Sequence, residues 1–208
     1  AQVAERVGLA LRERVRRPAS DSFMLSLNPP HQVTGFKGPP DTLAGMVRAA
    51  QGARGEKSLL VRSVTEQVVG DLWPKDYLGE ILAINAWVSE HVRYLNDPMH
   101  VELLKDPQRL CEEILDKGFA RGDCDDIAVL MATMALQVGR HAQFVVAGFG
   151  APGSYSHVFA RIQDPRSNQW IVCDPVAGSG VASMLKRITT YQIWSCDELP
   201  SHGPVEAR

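Results

Sequence analysis

The spacing of apolar residues changes once along this chain, from a helical pattern to a strand pattern, and the change falls at Gly139. Before it, apolar residues recur at intervals of three and four over about 124–138, which predicts an amphipathic helix that ends at the glycine. After it come short runs rich in apolar residues, at 144–147, 156–162 and 169–174. Helices first and an antiparallel sheet afterwards are typical of the α+β class, which is the fold class we predict.

The segments upstream of residue 124 also carry helical spacing. We predict helices at about 1–17, 41–51, 56–71, 76–95 and 106–117, and one more strand near 187–194. A stretch rich in proline and glycine, 18–42, separates the first helix from the rest and is typical of an extended connector. We therefore divide the chain into an N-terminal helix and arm, 1–42, and a single domain, 43–208.

Composition and charge exclude several classes of function. The formal net charge is −2 over 208 residues, so the clustered basic excess that nucleic-acid binding requires is absent. No apolar run reaches the roughly 18 residues that would cross a bilayer, and the start of the chain lacks the continuous apolar stretch of a signal peptide. We expect a soluble protein without nucleic-acid or membrane partners.

The chain contains four cysteines, Cys111, Cys124, Cys173 and Cys196. They show no CxxC spacing, which argues against a zinc ribbon or a thioredoxin-type motif. A chain of this size can bury a core without a disulfide framework. We predict four free thiols, one of which is reactive.

Cys124 stands where a reactive thiol is expected, between a Gly-Asp turn and the start of a strongly predicted helix. The thiolate is the nucleophile, and the positive end of the helix dipole and the unpaired N–H groups of the first turn favour it. The same N–H groups can hold the oxyanion of a tetrahedral intermediate. A lone cysteine at a helix start is more often just a small residue, so the assignment depends on its partners.

A base and an orienting carboxylate follow in the order that a thiol triad requires. His157 lies in the predicted strand 156–162. Asp174 ends the next predicted strand, 169–174, and a turn-forming segment joins the two. Because adjacent antiparallel strands bring such residues side by side, the sequence predicts a site in which Cys124, His157 and Asp174 meet.

Three motifs in this order resemble those of the transglutaminase-like superfamily. They are Arg-Gly-Asp-Cys-Asp-Asp at 121–126, Ser-His-Val-Phe at 156–159 and Trp-Ile-Val-Cys-Asp-Pro at 170–175. Upstream, the predicted helix that includes Tyr94 is similar to the one that packs before the nucleophile in that superfamily. The similarity covers about 76–176 and implies a papain-like core, with the nucleophile helix packed on an antiparallel sheet.

This resemblance also implies roles for individual residues. Cys124 is the nucleophile, His157 is the general base and acid, and Asp174 orients His157. Tyr94 is the candidate for a second oxyanion donor, and a core aromatic at the end of a helix is the alternative interpretation. The implied function is that of a thiol peptidase, amidase or acyltransferase acting on an amide bond of a protein or peptide, with water or an amine as acceptor.

The Gly-Asp-Cys-Asp-Asp form is similar to bacterial and phage-encoded members rather than to animal cross-linking enzymes. The run 94–98 resembles small proteins encoded by tailed phages, so a phage virion or the bacterial cytoplasm is the implied location. The resemblance leaves a second function open. The chain would then be a structural or interaction protein of the virion that keeps the fold and binds neighbours or copies of itself through the arm, 18–42.

Three carboxylates flank the nucleophile, and two interpretations of them remain open. Asp123 suits a helix N-cap, and Asp125 and Asp126 suit the positive end of the helix. Alternatively, these acids ligate Ca²⁺, as acids beside the cysteine do in some bacterial transglutaminase-like proteinases. We favour the cap, and we predict no other metal or cofactor.

Overall fold

The computed structural model describes residues 40–53, 58–96, 104–151 and 154–197. The predicted helix at 1–17 and most of the predicted arm lie outside these residues, so both stay predictions, as does the domain division that depends on them. Within the described residues, no helix is both long enough and apolar enough to cross a membrane.

The described residues form helices and strands in the following order. The helices are α1 (Pro40–Gly52), α2 (Leu59–Val69), α3 (Tyr77–His91), α4 (Pro107–Lys117), α5 (Cys124–Gln137) and α6 (Val181–Arg187), with a short 3-10 helix at Gly178–Gly180. The strands are β1 (Val92–Tyr94), β2 (Ala120–Gly122), β3 (Ala142–Gly148), β4 (His157–Asp164), β5 (Gln169–Cys173) and β6 (Thr190–Ser195). Mostly helices first and an antiparallel sheet afterwards confirm the α+β prediction.

The last four strands form one antiparallel sheet in the order β5-β4-β3-β6. Alternation along each strand divides the side chains between two faces. One face, which includes Phe144, Val158 and Ile162, shares a core with helix α5, and that helix is buried along most of its length. The opposite face packs with α6 in a second, smaller core. Helix α5, which begins at Cys124, therefore lies on the sheet, as the resemblance implies.

Helix α5 begins at Cys124 because Asp123 caps it. Oδ1 of Asp123 accepts the backbone N–H of Asp125 at 3.1 Å and that of Asp126 at 3.4 Å. After the helix ends, Gly139 has a φ of +72°, a left-handed conformation that favours glycine. The predicted start and end of this helix and the capping role of Asp123 are confirmed.

The predicted helix at 76–95 is too long. It ends at His91, and strand β1 (Val92–Tyr94) follows and pairs in parallel with residues 120–122. The backbone is already extended at Val92, with φ −109° and ψ 119°. Pairing with a distant segment supplies the hydrogen-bond partners of β1, and the apolar spacing of this segment does not reveal that pairing.

The last strand differs from the prediction at its start. It was expected near 187–194, but β6 begins at Thr190, and helix α6 (Val181–Arg187) precedes it. The basic last turn of that helix, Lys186 and Arg187, suits the negative end of the helix dipole.

Candidate active site

Cys124 is the first residue of helix α5, and its sulfur lies at the start of strand β4. The backbone N–H of Val158 lies close enough to this sulfur to lower the pKa of the thiol. Val158 directly follows His157, the residue at which β4 begins. The thiol is therefore next to the backbone of the histidine that the sequence predicts as its base.

His157 and Asp174 are joined by a hydrogen bond across neighbouring strands. Strands β4 and β5 pair with Ala160 opposite Cys173, so Asp174, the residue after β5, lies beside the first residues of β4. Nε2 of His157 is 2.7 Å from Oδ2 of Asp174. Only 13% of the His157 side chain and 1% of the Asp174 side chain are exposed, so water competes little for this bond.

The carboxylate of Asp174 is held at both oxygens. Its Oδ1 accepts the backbone N–H of Val176 at 3.1 Å and that of Ala177 at 3.2 Å, and its Oδ2 faces His157. Because a carboxylate only accepts hydrogen bonds, Nε2 of His157 carries the ring proton and donates it. Nδ1 is then the ring nitrogen with a lone pair, the one that can accept a proton.

The surroundings of Cys124 keep its thiol protonated in the resting protein. Burial raises the pKa of Cys124 to about 12, the carboxylates of Asp125 and Asp123 add to the rise, and the Val158 N–H opposes it. The thiol also donates a hydrogen bond to Oδ1 of Asp125 over 3.4 Å. The helix N-terminus favours a thiolate, whereas burial and two adjacent carboxylates act in the opposite direction. A base is required to remove the proton.

Tyr94 lies at the same site. In the parallel pairing of β1 with β2 it stands opposite Gly122, two residues before Cys124. Burial raises the pKa of Tyr94, and the carboxylates of Asp123 and Asp125 and the Cys124 sulfur, when it is ionised, add to the rise, so the hydroxyl lies within electrostatic reach of these groups. The residue is 48% exposed and forms part of the surface beside the nucleophile, so it is not a core aromatic.

The three carboxylates around the nucleophile do not converge on one point. The ligand atoms of Asp123 and Asp125 and the sulfur of Cys124 lie within 4.8 Å of one another. Asp126 is fully buried, and its Oδ1 accepts the backbone N–H of Lys105 over 2.7 Å. Ca²⁺ prefers about six to eight oxygen ligands, whereas this group offers two carboxylates and a sulfur among the described residues. These residues do not fit a calcium ion.

The carboxyl group of Asp126 is buried, and its position in the sequence motif did not predict this burial. Burial raises the pKa of Asp126 to about 6, and the backbone N–H groups of Lys105 and Asp123 oppose the rise. The Lys105 ammonium donates to the carbonyl of Arg121, so this lysine ties strand β2 to the first turn of α5. Gly122 leaves room for Asp126, since a Cβ there would lie 2.7 Å from the Asp126 Cβ. One signal in the sequence could have identified Asp126, namely an acid three residues after an acidic N-cap, which is the spacing of a capping box.

A sequence model of the transglutaminase-like superfamily matches residues 62–175. The matched segment runs from helix α2 to the residue after Asp174 and includes Cys124 and His157. Among proteins with curated descriptions, none matches the chain.

One similar solved structure is that of a candidate protease from Parabacteroides distasonis, with a TM-score of 0.51 and 12% sequence identity. The alignment covers 89% of this chain and 35% of that protein, so the chain spans about a third of that protein's length. At this identity the likeness bears on the fold alone.

Proposed function

The chain belongs to the transglutaminase-like superfamily, and on that premise we propose that it is an enzyme in which Cys124 attacks the carbonyl of an amide bond in a protein or peptide. Membership supports cysteine-dependent hydrolysis or acyl transfer in general terms. The finer proposal, that Cys124, His157 and Asp174 act as a triad, rests on the geometry of the site.

The observation that carries the proposal is the 2.7 Å hydrogen bond between His157 and Asp174 beside a thiol. The carboxylate orients the imidazole and supplies the negative charge that stabilises its protonated form. The Val158 N–H at the start of the same strand lowers the pKa of the Cys124 thiol, so the sulfur lies near this strand. A purely structural hydrogen bond would need no thiol next to it.

In the proposed first step, Nδ1 of His157 takes the proton from the Cys124 thiol while the sulfur attacks the carbonyl carbon. The electron pair of the C=O π bond moves to oxygen and gives a tetrahedral oxyanion. Asp174 stabilises the imidazolium formed in this step. Because the thiol is protonated at rest, proton removal and attack are coupled, and no stored thiolate is needed.

The oxyanion would be held at the N-terminus of helix α5. The Asp123 side chain takes the N–H groups of Asp125 and Asp126, which leaves the N–H of Cys124 as the donor of the first turn. The hydroxyl of Tyr94 is the proposed second donor. Donors fixed in place before the reaction stabilise developing charge strongly, because they need no reorganisation when it appears.

Collapse of the intermediate breaks the C–N bond and produces a thioester. The His157 imidazolium gives its proton to the leaving nitrogen, an amine departs, and the acyl group remains on Cys124. Water, deprotonated by the same histidine, then attacks the thioester carbonyl. The C–S bond breaks, a carboxylic acid leaves, and the imidazolium returns its proton to the Cys124 sulfur. An amine in place of water would form a new amide, so the same residues serve hydrolysis and transfer.

Acylation of Cys124 by p-nitrophenyl acetate tests the proposal without knowledge of the substrate. We expect release of p-nitrophenolate, an acetyl thioester located on Cys124 by mass spectrometry, and loss of both in Cys124→Ala. The His157→Gln variant should acylate at least roughly 100-fold more slowly, since positioned acid–base catalysis contributes that factor or more. Equal p-nitrophenolate release by the wild type and a folded Cys124→Ala variant would contradict the proposal.

A primary amine then separates the two acceptors. If the thioester is open to amines, methylamine should speed the second phase of p-nitrophenolate release and yield N-methylacetamide. If water is the acceptor, the second phase should not depend on the methylamine concentration, and acetate should be the product.

A further inference from the structure

Two arginines stand side by side on the short parallel sheet that precedes the nucleophile helix. Arg93 of β1 and Arg121 of β2 are partners in the register, so their side chains leave the same face of the sheet. Both residues are exposed. Their guanidinium carbons lie 3.7 Å and 5.6 Å from the centre of the Phe119 ring, so one aromatic ring supports both cations.

These two cations have no anionic partner in the described part of the chain. None of the ion pairs found there includes Arg93 or Arg121. By contrast, the exposed Arg109 lies 3.3 Å from the carboxylate of Glu113. Like charges on directly paired strand positions repel each other, and contact with an aromatic face offsets only part of that cost. An anion bound between the two guanidinium groups would remove the repulsion.

The arginine pair lies on the face of the two strands opposite to Tyr94, because neighbouring residues of a strand point to opposite faces. Arg121 is three residues before Cys124, a span of at most about 10 Å of extended chain. The residues that follow Arg121 carry the opposite, negative charge, because Asp123 and Asp125 flank the thiol. An acidic segment of a polypeptide is therefore attracted to the arginines and repelled by the carboxylates beside the thiol.

We propose that Arg93 and Arg121 form a carboxylate-binding subsite, which holds an acidic segment of the protein substrate on the face of the strand pair opposite to Tyr94. That the bound protein is a substrate rests on the proposed function, whereas binding at the subsite needs no competent triad. Planar guanidinium forks suit carboxylates, which accept two parallel N–H bonds. Aspartate and glutamate side chains supply this group in any polypeptide, whereas a phosphate would require a modified one.

The full-length Cys124→Ala variant provides the test, because it binds without turnover. We expect a fluorescein-labelled oligo-glutamate peptide to bind in an anisotropy assay at low salt, and an oligo-glutamine peptide of the same length not to bind. Arg93→Gln combined with Arg121→Gln should weaken oligo-glutamate binding by roughly tenfold or more, as loss of charge-assisted bonds does. Arg121→Lys, which keeps the charge but loses the fork, should weaken it less. Arg109→Gln removes the same charge elsewhere and should leave binding unchanged.

Three outcomes would overturn the subsite. The first is equal binding of oligo-glutamate and oligo-glutamine, and the second is an equal loss of oligo-glutamate binding in Arg109→Gln and in the double variant. The third is displacement of the peptide by inorganic phosphate at a concentration equal to that of the peptide carboxylates, which would assign the arginine pair to phosphate. Because the assay uses a variant without the nucleophile, failure of Cys124 acylation would leave the subsite standing. Failure of peptide binding would likewise leave the chemistry at Cys124 standing.

Discussion

Asp174 contacts His157 through one carboxylate oxygen and the following turn through the other. Oδ2 lies 2.7 Å from Nε2 of His157, while Oδ1 accepts the N–H groups of Val176 and Ala177. The two oxygens therefore have separable roles, one toward the imidazole and one toward the backbone. Asparagine keeps an acceptor oxygen for the turn and places an NH₂ group against the imidazole, so Asp174→Asn changes the first role alone.

Asp174→Asn should fold with a nearly unchanged Tm and acylate slowly. The amide can neither accept the Nε2 proton at that position nor stabilise the imidazolium, so we expect acylation by p-nitrophenyl acetate to fall by roughly 100-fold or more. Stopped-flow release of p-nitrophenolate, with a thermal melt of each protein, measures both quantities. If Asp174 served only the turn, asparagine would serve equally well, and the wild type and Asp174→Asn would be acylated at the same rate.

Asp125→Asn should make Cys124 more reactive. The carboxylate accepts a hydrogen bond from the thiol over 3.4 Å. It is the second-largest cause of the raised pKa of Cys124, and burial is the largest. Removing its charge lowers the pKa of the thiol, and each unit gives about tenfold more thiolate at a fixed pH. Thiol titration by absorbance at 240 nm should shift to lower pH. Asp116→Asn, which removes an exposed carboxylate from α4, is the matched control and should not shift it. A titration unchanged in Asp125→Asn would contradict this role.

The buried carboxyl of Asp126 should make stability depend on pH. Its pKa is raised to about 6 from an ordinary 3.8, mainly by burial, so the folded state holds a proton that the unfolded state loses earlier. The stability that this group contributes is complete below about pH 3.8 and is lost as the pH rises through 6. Urea unfolding should show that, between pH 4 and 7.5, the free energy of unfolding of the wild type falls by up to roughly 3 kcal/mol relative to that of Asp126→Asn. If the free energies of unfolding of the two proteins changed in parallel with pH, Asp126 would have its ordinary pKa, which would contradict the prediction.

The sequence predicted well what depends on local patterns. The capping acid before Cys124, the apolar periodicity of α5 and the glycine after it define that helix without reference to the rest of the chain. Two strand runs separated by a short turn were enough to expect that His157 and Asp174 lie side by side. These signals are local because each arises within one helix or one hairpin.

Features that depend on distant contacts were not predictable in this way. Strand β1 exists because Val92–Tyr94 pairs with residues far along the chain, and its apolar spacing also suits a helix. Likewise, the protonated state of Cys124 follows from burial against strand β4, which a helix start alone does not reveal. The bond between Asp126 and Lys105 joins two segments with no shared motif.

Chelation should leave stability unchanged. Asp123 caps α5 and Asp126 bonds Lys105, so the acids beside Cys124 already have partners without a metal. A thermal melt with excess EGTA should match one with added CaCl₂ within error. A ligand that binds only the folded state must stabilise it, so a large drop in Tm on chelation would overturn the capping interpretation.

The central claim is that His157 activates Cys124, and alkylation of the thiols tests it most directly. Cys111, Cys173 and Cys196 are buried, with at most 2% exposure, so brief iodoacetamide treatment of the folded protein should label Cys124 far faster than these three. Exposure alone would give the same selectivity, so the deciding variant is His157→Gln, which removes the base and keeps a side chain of similar size.

The measurement is the labelling rate of Cys124 at pH 7, read by mass spectrometry, in the wild type and in His157→Gln with matched thermal melts. A thiol whose pKa burial has raised to about 12 holds almost no thiolate at this pH, so its reaction requires proton removal by a neighbouring base. We predict a rate at least roughly 100-fold lower in the variant. A folded His157→Gln protein that labels Cys124 at the wild-type rate would contradict the triad.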